Sequence, residues 1–386
     1  MIQESVYLIL GHGRLQQLAL LSSILSLILL LMHAFAYRLI GRPVDHWCQP
    51  PPDFRDLPAL QWKNVAIPVL ADGSFSRCTV YDPPVPDDSQ EERRVVPCDR
   101  WDYDTTDIGN SVVSMWDLVC EHSWLYYISS SVYMLGSLCL VPVAGIMADR
   151  VGRRPVILAS AATMLLATVA AGSTQAFGVF LMARFVVSAT ASATNVLNFI
   201  VLYELTGNEH RALYILLANS VGTTVTPAVY EVLSLLHPTW RLSHALFVAA
   251  SAIVLAWCYS LEESPVWQLA TWRVRQAEST MLQAARSHGV DMAKARATIK
   301  HSSTQATAGE AGDGLRNWDS IKNRGQRVTL SAVLALLFVC SAFQTVSYKM
   351  KWGIAMPMST LMVLCTTSAA LCVNYGYTAE VFPTPI

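Results

Sequence analysis

The sequence predicts an all-α polytopic membrane protein. Its 386 residues are 53% hydrophobic and only 14% charged, whereas an ordinary soluble chain has about 25% charged residues. Several apolar runs reach the roughly 20 residues that a helix needs to span a bilayer. Two of these runs are separated by a short polar gap that contains three arginines, and short loops rich in Lys and Arg stay in the cytoplasm. The net charge of −1 gives no electrostatic reason to expect a nucleic acid as partner.

The short gap carries more than positive charge. It reads Gly145-Ile-Met-Ala-Asp149-Arg150-Val-Gly152-Arg153-Arg154. The two glycines are expected to let two helix ends and a tight turn approach closely. Asp149 is an acid where cations prevail, and we therefore expect a specific partner for it. A generic cytoplasmic hairpin would explain the arginines, but not the acid and the two glycines at these spacings.

The first apolar run, residues 18–37, is long enough to span the bilayer. A signal peptide is an alternative, because residues 34–36 resemble a small-residue cleavage site; we expect an uncleaved helix. The polar segment 38–123 follows, with 15 acidic residues against eight basic ones, and is predicted to be extracellular.

Four cysteines in the segment 38–123 predict two disulfides in an oxidising compartment. They are Cys48, Cys78, Cys98 and Cys120. The sequence leaves three pairings open. A zinc site is the rival interpretation, but no CxxC pair supports it.

Five further helices are predicted at 124–147, 155–175, 177–203, 212–236 and 240–261. The polar region 262–327 holds ten Lys/Arg against seven Asp/Glu, so it is predicted to be cytoplasmic, with an amphipathic helix in 265–288. Two more apolar runs, 328–346 and 354–375, lie in the last unit, 328–386. With the N-terminus in the cytoplasm, every charged cluster outside 38–123 is on the cytoplasmic side.

The chain resembles a known family in several short motifs. The hairpin is similar to the signature between the second and third helices of the major facilitator superfamily. The stretches PVDHWC (43–48), WDYD (101–104), WDLVC (116–120), ELTG (204–207), ESPVW (263–267) and YTAEVFPT (377–384) together resemble the organic cation, carnitine and organic anion transporters, solute carrier family 22. The resemblance implies a plasma-membrane protein with twelve helices in two bundles and a central cavity that opens alternately to each side. Its substrate would be a small organic ion, with a coupling ion as a further option and no cofactor.

The resemblance breaks in the second half of the chain. The family has four helices where only the two runs 328–346 and 354–375 occur, and the second run leads into the motif that follows helix ten. We therefore expect a complete first bundle of six helices and a truncated second bundle, with helices eight and nine missing at a join in 347–352. The alternative function is that of a non-transporting isoform, or of an incomplete gene model.

The resemblance and the charges together suggest residues for gating. Acids and bases at the cytoplasmic helix ends can close that side when paired and open it when separated. The gating candidates are Gly145, Asp149, Gly152, Arg153, Arg154, Glu204, Arg211, Glu262, Glu263 and Glu380. Ordinary solvated loop charge is the alternative, and it is accepted for Arg150 and Glu209.

Polar and aromatic residues inside apolar helices are the candidates for substrate binding. Asn195, Asn198 and Phe199 share one face of the fourth helix, where the asparagines could instead hydrogen-bond to a neighbouring helix. An aromatic ring there could hold an organic cation. The other candidates are Tyr133, Glu231, Phe343 and Gln344. Arg184 and Glu231 lie near outer helix ends, so each is either functional or placed in the headgroup region.

Other classes fit less well. No glycine loop precedes a Lys and Ser/Thr, and no HExxH or GxSxG motif occurs, so the sequence offers neither an ATP site nor a hydrolase signature. A receptor with a disulfide-bonded ectodomain would not explain the hairpin, or the resemblance between the segments after Glu204 and Glu380.

Overall fold

Six long helices form the membrane region. The computed structural model describes residues 13–84, 93–106, 109–236 and 238–287. The long helices are α1 (Arg14–Ala34), α2 (Ser123–Val151), α3 (Arg153–Ser173), α4 (Phe177–Leu205), α5 (Asn208–Leu235) and α6 (Trp240–Tyr259). The predicted all-α membrane region is confirmed, with helix ends displaced by up to four residues.

Five of these six helices are long and apolar enough to cross a membrane, and α5 is the exception among the described residues. α5 has the length of 28 residues, but polar side chains lower its hydropathy. Asn219, Thr223 and Thr226 are buried in the bundle, where the threonine hydroxyls donate to carbonyl oxygens one turn earlier in α5. These groups are therefore satisfied inside the helix.

Helix α4 lies at the centre of the bundle. It packs against α1, α2 and α3, while α6 packs against α3 and α1, and α5 against α1. A close approach between α2 and α4 depends on Gly136, since a Cβ there would overlap the carbonyl oxygen of Phe185. Small residues at helix contacts are how membrane helices gain packing, because the bilayer supplies no hydrophobic driving force between them.

The segment between α1 and α2 adds β-structure to the predicted all-α fold. Strand β1 (His46–Cys48) pairs antiparallel with β4 (Trp101–Tyr103), and β2 (Thr79–Asp82) pairs antiparallel with β3 (Arg94–Pro97). Short helices at Tyr37–Ile40, Ala59–Ala66 and Val112–Met115 complete it.

Two disulfides close this segment. Cys48 pairs with Cys98, and Cys78 pairs with Cys120, which selects one of the three pairings left open by the sequence. His46 lies beside the second bridge, with its Nε2 3.9 Å from the Cys120 Sγ. Both nearby sulfur atoms are bonded to each other, so the described residues do not support the zinc interpretation. Burial is the main cause that lowers the pKa of His46.

Aromatic contacts fix the segment on the end of α3 and the starts of α4 and α6. The Trp116 indole donates to the Gln175 carbonyl oxygen at 2.8 Å, and its ring lies 4.8 Å from the Phe180 ring and 6.0 Å from the Trp240 ring. Nearby, the Tyr103 hydroxyl donates to Asp117 at 2.9 Å. Burial, followed by the Asp117 carboxylate, raises the pKa of Tyr103.

Two shorter helices follow α6 at the opposite end of the bundle, α7 (Pro265–Ala270) and α8 (Val274–Ser287). The amphipathic helix predicted for 265–288 is therefore two helices, with a break at Trp272, whose φ is +63°. The buried face of α8 includes Ala277 and Met281, both at 0% exposure, and α8 contacts α7 and α1.

Several predictions fall outside the described residues. These are the apolar runs 328–346 and 354–375, the join in 347–352, and the candidate residues Phe343, Gln344 and Glu380.

Candidate functional site

The hairpin between α2 and α3 is a single residue long. Gly152 alone separates the two helices, with φ +127° and ψ +157°. A Cβ on this residue would lie 2.6 Å from the Glu263 Oε2 and 3.2 Å from the Trp267 ring. Only glycine adopts this backbone conformation readily, and only a residue without a side chain lets the segment after α6 lie this close.

Glu263 occupies the N-terminus of α3. Its Oε1 accepts from the backbone N–H groups of Arg153 at 2.9 Å and Arg154 at 3.3 Å, and its Oε2 accepts from Arg154 at 3.2 Å. A carboxylate is favoured here, because the first N–H groups of a helix lack intrahelical acceptors and carry partial positive charge. Glu263 therefore caps a neighbouring helix.

The Arg153 side chain crosses the interior between two acids. One of its terminal nitrogens is 2.5 Å from the Asp149 Oδ1, and the other is 3.1 Å from the Glu204 Oε1. The side chains of Arg153 and Glu204 are 2% and 6% exposed, whereas that of Asp149 is 47% exposed. Arg153 is thus the specific partner that the sequence predicted for Asp149, and Glu204 completes a triad from α2, α3 and α4.

The segment after α6 is tied to the hairpin by two more contacts. The Trp267 indole donates to the Asp149 carbonyl oxygen at 2.9 Å, and the Arg154 guanidinium donates to the Tyr259 carbonyl oxygen at 3.1 Å. Ser264 caps α7 by accepting from the Trp267 N–H at 3.4 Å. The motif ESPVW was recognised in the sequence, but the role of its tryptophan was missed.

Three predicted gating residues behave differently from the triad. Arg211 donates to the Thr206 carbonyl oxygen at 3.1 Å and to the Tyr203 hydroxyl at 3.1 Å, which places it at the C-terminus of α4. Glu262 accepts from Gln283 of α8 at 3.2 Å. Gly145 lies in α2, and a Cβ there would meet nothing within 4 Å in the described chain. The described residues thus show no close approach at Gly145.

The predicted substrate-binding asparagines face α1. The Asn198 Oδ1 accepts from Ser22 at 3.0 Å, and its Nδ2 lies 3.7 Å from the Cys258 Sγ. The Asn195 Oδ1 accepts from Ser26 at 3.3 Å. In this structure the two asparagines therefore join helices, which is the alternative that the sequence left open. The serines at i and i+4 of α1 were the signal that could have indicated it.

The other substrate candidates are also placed. Phe199 is 5% exposed and belongs to the core around α4. The Tyr133 hydroxyl donates to the Leu30 carbonyl oxygen at 3.4 Å, and the Arg184 guanidinium carbon lies 4.5 Å from the centre of its ring. Glu231 is exposed on α5. The described residues therefore do not bring these candidates together around one cavity.

Comparisons with known proteins agree with this architecture. The chain is 28% identical over 289 residues to the beta-alanine transporter of Drosophila melanogaster, covering 67% of this chain and 47% of that protein. It is 27% identical over 312 residues to solute carrier family 22 member 7 of Mus musculus, covering 74% of this chain and 56% of that protein. The chain therefore spans about half the length of these relatives, and the resemblance to solute carrier family 22 is confirmed.

Solved structures and a family model give the fold. A structure of the proton:xylose symporter XylE bound to 6-bromo-6-deoxy-D-glucose matches with a TM-score of 0.52 at 15% identity, covering 69% of this chain and 75% of that chain. At this identity the match shows the fold alone. The sequence model of the Major Facilitator Superfamily matches residues 123–382 of the 386. Because this match extends over more than half of its length, the chain belongs to the Major Facilitator Superfamily.

Proposed function

We propose that this chain transports small organic ions across the plasma membrane by alternating access, with its N-terminus in the cytoplasm. The substrate class comprises organic cations, carnitine-like zwitterions and organic anions. The observation that carries the proposal is the buried Arg153–Glu204 ion pair and its half-exposed neighbour Asp149. Together with Glu263, these residues join the ends of α2, α3, α4 and α6 on one side of the membrane.

The exposed fractions of these side chains divide the cluster into an enclosed ion pair and an accessible acid. Arg153 and Glu204 are enclosed, and breaking a buried pair leaves an uncompensated charge that costs several kcal/mol. These two residues therefore act as a strut that keeps the first bundle rigid. Asp149 is 47% exposed, so its carboxylate is available to a group outside the bundle. We assign the gating contact to Asp149 and the positioning of Asp149 to Arg153.

The charge distribution supports the proposed orientation. Arg150, Arg153 and Arg154 lie at the end of the bundle that carries α7 and α8, whereas the disulfide-bonded segment lies at the other end. Basic short loops mark the cytoplasmic side, and disulfides persist in oxidising compartments. Both criteria favour a cytoplasmic position for the Asp149 end.

The names of the relatives suggest which substrates to test. The Drosophila relative is named for beta-alanine, and another relative from the same organism is named an organic cation transporter. A positively charged group is common to both kinds of substrate. The predicted site on α4 would then admit substrate only after the contact between Asn198 and Ser22 of α1 rearranges. Further candidates for its lining are still Phe199, Tyr133, Glu231, Phe343 and Gln344.

Uptake by the purified full chain in proteoliposomes tests the proposal. The probes are radiolabelled tetraethylammonium, beta-alanine and an aromatic carboxylate, each with and without a pH gradient to detect proton coupling. We expect saturable uptake of at least one probe. Asp149→Asn should lower the maximal rate at least tenfold with little change in KM, while Arg150→Gln serves as the control that keeps the rate. Folded protein without saturable uptake of any probe would contradict transport and favour the non-transporting alternative.

A further inference from the structure

The two disulfides of the segment between α1 and α2 differ in exposure. Cys48 and Cys98 are 2% and 9% exposed, and both belong to the core that contains Trp101. Cys78 and Cys120 are only partly buried. A disulfide is reduced when a thiolate attacks one of its sulfur atoms, so the rate depends on access to that atom. A small thiol therefore reaches the Cys78–Cys120 bridge more easily than the Cys48–Cys98 bridge.

The Cys78–Cys120 bridge connects two structural units. Cys78 directly precedes strand β2, and Cys120 begins the 3₁₀ turn Cys120–His122, which leads into α2. Reduction of the bridge removes the covalent link between this strand and the start of α2. A group that holds the two sulfur atoms together after reduction restores the link.

His46 lies beside this bridge with a defined orientation. Its Nε2 is 3.9 Å from the Cys120 Sγ, and its Nδ1 is 3.1 Å from the Val44 carbonyl oxygen. A carbonyl oxygen only accepts hydrogen bonds, so in the neutral imidazole Nδ1 carries the proton and Nε2 has its lone pair available near the sulfur. A metal-binding histidine is typically oriented in this way, with its other ring nitrogen donating to a carbonyl or a carboxylate.

The three side chains have the spacing of a zinc site. The His46 Nε2, the Cys78 Sγ and the Cys120 Sγ all lie within 4.8 Å of one another. Tetrahedral zinc binds sulfur at about 2.3 Å and nitrogen at about 2.0–2.1 Å, which places nitrogen and sulfur about 3.6 Å apart. The distance of 3.9 Å between the His46 Nε2 and the Cys120 Sγ is close to this value. Thiolates are the species that bind zinc, and these two sulfurs become thiolates only after the bridge is reduced.

We propose that reduction of the Cys78–Cys120 bridge creates a zinc site formed by His46, Cys78 and Cys120. Two molecules of a low-molecular-weight thiol supply the two electrons. They form one disulfide between themselves, and each cysteine takes up one proton as its S–S bond breaks. Zn²⁺ then displaces both protons, so that two thiolates and one neutral imidazole bind the metal. Water occupies the fourth coordination position.

The zinc site and the disulfide are alternative links between the same two units. Two thiolates compensate the two positive charges of Zn²⁺, so the site is neutral. The disulfide and zinc interpretations of the sequence then correspond to two redox states of the same two cysteines. This site is independent of the proposed transport.

Cobalt binding to the purified full chain in detergent tests the site. Co²⁺ replaces Zn²⁺ as a spectroscopic probe, because thiolate-bound Co²⁺ has a ligand-to-metal charge-transfer band in the near ultraviolet. The Cys78–Cys120 bridge is first opened with a phosphine reductant, which leaves no competing thiol in solution. We expect saturable binding of one Co²⁺ per reduced chain, displacement of Co²⁺ by Zn²⁺, and no such band in the oxidised chain.

Histidine variants identify the nitrogen ligand. His46→Gln keeps all four cysteines, so both bridges can form. It should weaken Co²⁺ binding by at least about 100-fold, because even the loss of a group that only orients a metal ligand costs about 10–100-fold. His122→Gln is the matched control, since His122 is an exposed histidine close to Cys120 in the chain, and this variant should bind Co²⁺ as the wild-type chain does.

Alkylation identifies the sulfur ligands. N-ethylmaleimide reacts with thiolates that no metal holds, and peptide mapping reports each cysteine separately. At the lowest phosphine concentration that releases thiols, the labelled residues should be Cys78 and Cys120. Zn²⁺ should then slow their labelling at least about tenfold in the wild-type chain but not in His46→Gln, because the metal holds them as bound thiolates.

Three results would overturn the assignment. They are the absence of a thiolate-to-cobalt band in the reduced wild-type chain, Co²⁺ binding of wild-type affinity in His46→Gln, and opening of the Cys48–Cys98 bridge before the Cys78–Cys120 bridge. Because these assays measure metal binding and thiol release without transport, their failure leaves the proposed function untouched.

Discussion

Replacing Gly152 with alanine tests how the hairpin between α2 and α3 is built. The backbone conformation at φ +127° and ψ +157° is essentially restricted to glycine, and a non-glycine residue held in such a region costs about 1–3 kcal/mol. The new Cβ would also lie 2.6 Å from the Glu263 Oε2. Displacing that carboxylate removes its bonds to the start of α3, and the loss of a helix N-cap costs about 0.5–2 kcal/mol.

The two costs add to a destabilisation of about 1.5–5 kcal/mol for Gly152→Ala. This free energy is read from unfolding in mixed micelles by titration with sodium dodecyl sulfate, followed by tryptophan fluorescence. The matched control is Gly145→Ala in the same hairpin motif. Gly145 is inside α2, where an added Cβ would have no neighbour within 4 Å in the described chain, so alanine there should be neutral or stabilise by up to about 1 kcal/mol.

A double variant separates the two contributions. In a Glu263→Ala background the carboxylate is absent, so Gly152→Ala should cost only the backbone part, about 1–3 kcal/mol. The difference between the two backgrounds is the coupling energy between residues 152 and 263. Equal destabilisation by alanine at Gly152 and at Gly145 would refute the reasoning, because both glycines would then serve the helices in the same way.

Three further predictions concern the strut, the α1–α4 contact and the disulfides. Glu204→Gln should destabilise the protein by about 3 kcal/mol, because it leaves Arg153 buried beside one acid, while Asp149→Asn should cost less than about 1 kcal/mol. The same detergent titration measures both free energies of unfolding. The reverse order of the two costs would contradict the assignment of Glu204 to the strut and Asp149 to the gate. Ser22→Ala should cost about 0.6 kcal/mol, a typical interhelical hydrogen bond in a membrane protein, and no change in the titration would show that the Ser22–Asn198 bond does not form. Non-reducing peptide mapping should recover Cys78 linked to Cys120, and replacing both by serine should cost up to about 4 kcal/mol for a separation of 42 residues; recovery of any other pairing would disprove the one described here.

The positions of the helices could be predicted from the sequence because the bilayer imposes a length. About 20 apolar residues are needed for a crossing, so each long run had to be a helix. The observed helix ends differ from the predicted ones because the prediction assigned charged residues at the helix boundaries to loops. Arg153 and Arg154 form the first turn of α3. The Glu263 carboxylate accepts from the backbone N–H of Arg153, so the helix can begin directly at these charged residues.

The rotation of each helix could not be predicted in the same way. Asn195 and Asn198 share a face of α4 whether that face lines a cavity or contacts another helix. Hydropathy does not distinguish these two cases. The partner helix gives the missing information, because α1 presents Ser22 and Ser26 four residues apart and α4 presents the two asparagines three residues apart, so each pair spans about one helical turn. Polar residues at matching spacing on two apolar helices indicate that these helices contact each other.

The roles of individual charges were also undetermined by the motif. Glu204 and Arg211 were expected to act as an acid and a base of one gate, yet Glu204 bonds to Arg153 and Arg211 bonds to the end of the preceding helix, α4. A cation at a helix C-terminus is favoured by the helix dipole regardless of any acid nearby. The sequence shows which charges are present, whereas their pairing depends on distances that only the packing sets.

The two buried arginines of this bundle differ in the groups that compensate their positive charge. Arg153 is 2% exposed by its side chain and is balanced by two acids on α2 and α4. Arg184 is enclosed to a similar degree, but its neighbours in the described chain are the Tyr37 and Tyr133 rings and the His33 carbonyl oxygen at the end of α1. Burying a charge is costly in both places; acids compensate it at the end that carries the hairpin, whereas the faces of two tyrosine rings and the C-terminus of α1 compensate part of it at the other end.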